Sequence, residues 1–102
     1  MGATHVEADL VELLRQRGWT LAVAESLTAG LVCSSIADVP GCSDVFTGGV
    51  VAYNPSVKAS VLDVTCLDAG LVSSEVALAM AAGVRHSLGS SVGIATTGAA
   101  GP

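Results

Sequence analysis

Ser26, Tyr53 and Lys58 are the residues of this chain whose types and places suit chemistry. A hydroxyl, a phenol and an amine can between them supply a nucleophile and proton carriers. Each stands where a short apolar stretch ends: Ser26 in Glu25-Ser26-Leu27-Thr28-Ala29-Gly30, Tyr53 in Tyr53-Asn54-Pro55, and Lys58 about one helical turn further on. A third such exit, Thr97-Gly98-Ala99-Ala100-Gly101, is made of small residues that let a backbone approach a ligand. In open α/β sheets, ligands bind beyond the carboxyl ends of the strands. Every one of these residues also has an ordinary reading. Ser26 can be a helix cap, Tyr53 a strand end with its hydroxyl in water, Lys58 a solvated charge, and the glycine loop a turn. His5 and His86 show no triad spacing, and neither GxGxxG nor GxxxxGK[ST] occurs. On pattern alone, the Ser–Tyr–Lys grouping is one reading among several.

Those exits need a framework that brings strand ends together. The first helix is predicted over 4–17, opened by a Thr4/Glu7 capping box, with Val6, Leu10, Leu13 and Leu14 on one face. Arg15 and Arg17 suit its last turn, and Gly18 ends it. A strand is expected over 19–24, then a helix over 28–37 capped by Thr28, then a turn over 38–43 around Pro40-Gly41. The second strand is expected over 48–53. Asn54 as N-cap and Pro55 at the first helical position then start a helix that ends near Asp63. A connector over 66–72 leads to a helix capped by Ser73, with Glu75 in its first turn and Val76, Met80, Gly83 and Val84 on one face. Residues 91–97 form the third strand. This alternation predicts an α/β fold, with helices layered around a largely parallel sheet, in a single domain over 1–102.

Composition narrows the function classes. Of 102 residues, 51% are hydrophobic and 13% charged, which excludes disorder. With one Phe, one Tyr and one Trp, the apolar content is Ala, Val and Leu, suited to a parallel sheet under close-packed helices. The net charge is −5, and Lys58 is the only lysine beside Arg15, Arg17 and Arg85. No basic stripe can neutralise a nucleic-acid backbone. The start MGATHVEADL lacks the features of a signal peptide, and Val6 stands where a myristoylation motif wants Ser or Thr. No stretch has the ~18 apolar residues of a membrane span. Cys33, Cys42 and Cys66 are odd in number, widely spaced and form no CxxC, so they read as idle cytosolic thiols rather than metal ligands. The expectation is a soluble cytoplasmic protein.

Longer blocks carry a resemblance. AESLTAG (24–30), IADVPGCSDVF (36–46), GGVVAYNPSVK (48–58), LVSSEVALAMAAGVR (71–85) and TTGAAGP (96–102) resemble, in order, the C-terminal domain of the competence/damage-inducible CinA family, the nicotinamide-nucleotide amidohydrolases. The family pattern is AES-[CS]-T-[GA]-G, V-x-Y-[SN]-x-x-x-K and T-G-[IA]-A-G-P. Its nucleophilic Ser falls on Ser26, its Tyr on Tyr53 and its Lys on Lys58, at the family's usual intervals. Leu27 replaces a common Cys and Ala29 a common Gly. The added methyl of Ala29 bears on substrate affinity.

The resemblance implies hydrolysis of the carboxamide of nicotinamide mononucleotide (NMN) to nicotinate mononucleotide and ammonia, without a cofactor. Ser26 would attack the carboxamide carbon, and Lys58, kept neutral by burial, would take its proton. Tyr53 would orient or relay that proton. Thr28, Ala29 and Gly30 would contribute to substrate binding, the amides at the start of their helix holding oxyanion or phosphate. Thr97, Gly98, Ala99 and Gly101 would hold the nucleotide. The family domain continues past AGP with further strands and a closing helix that carry part of the pocket. The chain is therefore expected to be an incomplete domain with an open sheet edge, and a homo-oligomer or poorly stable. Two other readings stay open: a non-catalytic nucleotide-binding or interaction module, and an inactive truncated remnant.

Overall fold

A five-residue central strand with every residue buried organises the molecule. The computed structural model describes residues 5–67, 70 and 72–98. In chain order these form α1 (His5–Arg17), β1 (Leu21–Glu25), α2 (Leu31–Ala37), a 3₁₀ turn (Cys42–Asp44), β2 (Phe46–Val51), α3 (Pro55–Ser60), α4 (Ser74–Leu88) and β3 (Val92–Ala95). The strands form a parallel sheet in the order β2-β1-β3. The α/β layering and parallel sheet are as expected.

Side chains on a strand alternate between faces, so β1 serves two layers. Leu21 and Val23 pack with Val11 and Leu14 of α1 and Ile36 of α2. Ala22 and Ala24 face the other way, into a cluster with Val76, Met80 and Val84 of α4 and with Leu62 and Val64. Small residues bring these layers close. A Cβ on Gly83 would overlap the Leu62 carbonyl oxygen, and one on Gly93 the Ala81 carbonyl oxygen.

The local signals hold where capping is decided by neighbours in sequence. Asn54 Oδ1 accepts from Ser56 N–H at 2.9 Å, and Ser73 Oγ accepts from Val76 N–H at 3.2 Å. Elsewhere the tertiary structure moves the boundaries. β1 starts after Trp19 because Trp19 N–H donates to Leu14 O at 3.0 Å, completing the exit of α1 through Gly18 at φ 67°. On α1 the buried positions are Val11 and Leu14, with Leu10 packed beside them, whereas Val6 and Leu13 are exposed. The shared face expected of Val6, Leu10, Leu13 and Leu14 is thus corrected by a rotation that buries Val11. Thr4 of the expected capping box lies outside the described residues. β2 begins at Phe46 and ends at Val51, which leaves Tyr53 beyond the strand. α3 stops at Ser60 rather than near Asp63, and Asp63 takes a positive φ of 59°. β3 ends at Ala95, although Thr96 N–H adds one more rung to Ala24 O at 3.0 Å.

Candidate active site

The exits of β1 and β2 lie side by side, and the alternation of β1 continues through them. Glu25 follows Leu21 and Val23 toward α2, while Ser26 takes the side of Ala22 and Ala24. On that side stands Lys58, whose amine donates to Ser26 Oγ at 3.2 Å and to the Ala52 carbonyl at 3.0 Å. Lys58 is only 2% exposed and Ser26 5%. Asn54 and Pro55 set this up locally, because they start α3 just past β2 and aim its first turn back at the strand ends. Among the described residues Lys58 has no carboxylate partner. Burial, uncompensated by a counter-charge, pushes its pKa below the ordinary lysine value.

Tyr53 is not part of this contact. It is 59% exposed, and no hydrogen bond joins it to Ser26 or Lys58. With β2 already ended at Val51, Tyr53 turns outward while the next element starts at Pro55. The structure therefore brings together Ser26 and Lys58 and leaves the phenol on the solvent side.

The entry into α2 departs furthest from expectation. The helix begins at Leu31, and its N-cap is Gly30 at φ 106°, not Thr28. The Thr28 hydroxyl instead pairs with Thr96 Oγ1 at 2.7 Å, linking the exits of β1 and β3. The fully buried Glu25 takes over the capping. Its Oε1 accepts from the N–H of Gly30 at 3.0 Å and of Val32 at 3.1 Å, and its Oε2 from the N–H of Cys33 at 2.8 Å. Burial alone would raise the Glu25 pKa. Hydrogen bonds from the Thr28 hydroxyl, from the Cys33 amide and thiol, and from the Val32 amide outweigh it and hold the carboxyl down at about 2. Ala29 N–H donates to Ser26 O and Leu31 N–H to Thr28 O, both at 3.0 Å. The helix-start amides expected to bind oxyanion or phosphate are thus occupied from within the chain.

Glu25 is the residue that motif reasoning overlooked. Its signal was an acid at the end of an all-apolar strand, with no basic residue near it in sequence. The same carboxylate explains Cys33, whose thiol is pushed up to about 12, first by burial and then by the hydrogen bond to Glu25 and its charge. Thr97 and Gly98 follow β3, and Gly98 packs so closely on Leu27 that a Cβ would come within 2.8 Å of a Leu27 methyl. Ala99 and Gly101 lie outside the described residues. Among the described residues no helix is long and apolar enough to cross a membrane.

Comparisons with known proteins identify the family and the fold. The family model for the CinA C-terminal domain matches residues 3–102. The chain is 53% identical over 100 residues to a CinA-like protein of Frankia casuarinae, covering 95% of this chain and 23% of the relative. It is 50% identical over 105 residues to a CinA-like protein of Chlorobium phaeovibrioides, covering all of this chain and 24% of the relative. Two crystal structures share its fold. Competence damage-inducible protein A of Klebsiella pneumoniae superposes with a TM-score of 0.90 at 30% identity, over 95% of this chain and 62% of that one. A CinA superfamily protein of Escherichia coli gives 0.91 at 29%, over 95% and 58%. The chain spans about a quarter of the length of the curated relatives it matches.

Proposed function

The chain belongs to the CinA C-terminal domain family, and from that footing we propose that it is a nicotinamide-nucleotide amidase, converting NMN to nicotinate mononucleotide and ammonia. The observation that carries this reading is the buried contact of Lys58 Nζ with Ser26 Oγ at 3.2 Å. A lysine that burial pushes toward its neutral form, with no carboxylate among the described residues to hold its charge, is suited to act as a base.

A neutral amine has two N–H bonds and one lone pair. The Lys58 amine donates to both Ala52 O and Ser26 Oγ. On losing a proton it can keep the N–H to the Ala52 carbonyl and offer its lone pair to the Ser26 hydroxyl, which reverses the second hydrogen bond. Ser26 Oγ then attacks the carboxamide carbon while its proton passes to Lys58. The carbonyl oxygen takes the electron pair, and collapse of the tetrahedral adduct breaks the C–N bond. Ammonia leaves with the proton carried by Lys58, relayed through Tyr53 once substrate draws the phenol in from solvent. Water, deprotonated by Lys58, hydrolyses the acyl-serine to release the carboxylic acid and restore Ser26.

Thr28, Thr97 and Gly98 flank the exits of β1 and β3 and are the residues to hold the nucleotide, together with Ala99 and Gly101, which follow them in sequence. Ala29 and Gly30 contribute shape rather than donors, because their amides serve Ser26 O and Glu25. A pyridine-nucleotide substrate and three free thiols fit a cytoplasmic protein. Among the described residues β2 and β3 are the outer strands of the sheet, the positions from which self-association would proceed.

The test is ammonia and nicotinate mononucleotide release from NMN by the wild type, Ser26→Ala and Lys58→Met. Turnover abolished in both variants is expected. Turnover that survives Ser26→Ala would overturn the mechanism. NMN binding without turnover by the wild type would instead identify a nucleotide-binding module.

A further inference from the structure

We propose that Glu25 is the positioning residue for Ser26, holding the nucleophile by clamping both ends of the loop that carries it. This rests on the reading of Ser26 as nucleophile and assigns Glu25 no contact with substrate.

The clamp follows from the two ends of a single residue. The backbone of Glu25 is the last of β1, paired with Val51, and its carbonyl accepts from Ala52 N–H at 2.7 Å. Its side chain reaches across to Gly30, Val32 and Cys33 at the far end of the loop. Residues 26–30 therefore begin and end on Glu25. Within them the bonds Ala29 N–H to Ser26 O and Leu31 N–H to Thr28 O close two tight turns, and Ala29 sits at φ 52°, a region that L-residues adopt reluctantly. Such a loop keeps its shape only where its surroundings over-determine it. The alternation of β1 then gives Ser26 and Glu25 opposite layers, so the carboxylate fixes the loop on the α2 side while Ser26 is presented to Lys58 on the other. Helix amides hold the Glu25 carboxylate on the α2 side, and among the described residues no carboxylate pairs with Lys58.

Glu25→Gln keeps the volume but must place an NH₂ where at least one amide hydrogen now points. The experiment follows covalent labelling of Ser26 by phenylmethylsulfonyl fluoride, read by mass spectrometry in parallel with ammonia release from NMN. In labelling, Ser26 Oγ bonds to sulfur, fluoride leaves, and the hydroxyl proton passes to Lys58. Glu25→Gln is expected to slow labelling by roughly tenfold or more, as small displacements of a reacting atom do. Leu14→Ala, a core variant near the start of β1, at the other end of that strand from the loop, should lower the melting temperature and keep the wild-type labelling rate. A purely structural role for Glu25 predicts that both variants slow labelling in step with their loss of stability, and that result would overturn the proposal. So would a Glu25→Gln protein that labels at the wild-type rate, or a wild-type Ser26 that labels no faster than in Lys58→Met. Should Glu25→Gln not fold, hydrogen exchange on the wild type decides. The amides of Gly30, Val32 and Cys33 must be as protected as those of β1, and free exchange there overturns the clamp. A wild type that labels at Ser26 but releases no ammonia from NMN removes the substrate reading and leaves the clamp standing.

Discussion

The Ala52 N–H donates to the Glu25 carbonyl at 2.7 Å, and the carbonyl of the same residue accepts from Lys58 Nζ at 3.0 Å. One peptide residue thus ties the end of β1 to the exit of β2 and also seats the lysine that faces Ser26. The Lys58 side of the Ser26–Lys58 pair is consequently anchored at the exits of the parallel sheet, while Ser26 is carried by the loop that leaves β1. Ala52 is itself fully buried in the cluster under α4, so the core and the site share an anchor.

Glu25 should make the fold sensitive to acid in a defined window. Its folded pKa is lowered from 4.5 to about 2. A depressed carboxylate contributes stability that is fully present above 4.5 and is lost as pH falls through about 2. The size is on the order of 3 kcal/mol for a shift of this extent. Urea denaturation between pH 6 and pH 2 should show the wild-type advantage over Glu25→Gln shrinking steadily toward the acid end. Parallel stability curves for the two proteins would contradict the assignment.

Gly83 sets two effects against each other. In a helix interior, Ala is favoured over Gly by about 1 kcal/mol. At Gly83, however, the added Cβ would overlap the Leu62 carbonyl oxygen, a backbone atom that cannot step aside alone. Overpacking costs about 1–3 kcal/mol, so the clash should win. Gly83→Ala is expected to lower the urea midpoint. An increase would mean that α4 and the Leu62 segment can separate without cost.

Legibility from the sequence followed the range of the interactions. The caps at Asn54 and Ser73 were readable because donor and acceptor lie within three residues of each other. Thr28 has the same cap chemistry and was misread. The carboxylate that displaces it reaches α2 only after the chain has turned twice through residues 26–30. The periodicity of α1 was visible, but its rotation was not, since Val11 in place of Leu13 and Val6 depends on where Leu21 and Val23 lie. The Ser26–Lys58 approach was expected from adjacent strand ends. Tyr53 failed to join because β2 ends sooner than its apolar run, and a strand end fixes a side chain only while its ladder lasts.

Lys58 should also leave a signature in stability. Burial lowers its folded pKa from the ordinary 10.5, so over that interval the unfolded chain binds the extra proton. Stability must therefore rise with pH from the depressed folded value up to 10.5. Lys58→Met removes the titrating group at similar volume. Wild-type stability should climb relative to Lys58→Met as the solution is made alkaline, as read from urea midpoints across a pH series. A constant difference would show that the lysine titrates alike in both states.

The decisive substitution is Lys58→Arg. If Lys58 only pairs with an anionic part of the substrate, arginine keeps the charge and most of the turnover. If Lys58 is the base, it must spend part of its time neutral, and a guanidinium cannot be deprotonated at usable pH. The planar fork also cannot take the place of a single amine that reaches both Ser26 Oγ and Ala52 O. General acid–base steps contribute about 10²–10⁴-fold, so Lys58→Arg should be nearly as damaging to NMN turnover as Lys58→Ala. NMN binding should survive in both, since the loss falls on the chemical step and not on ground-state affinity. In the wild type, the rate should rise with pH along a limb that reports the Lys58 titration, and that limb should sit below the ordinary lysine range because burial lowers the pKa. The measurement is NMN turnover and NMN binding for the three proteins across pH. An arginine variant with near-normal turnover would remove Lys58 as the base and leave it an ordinary charged contact.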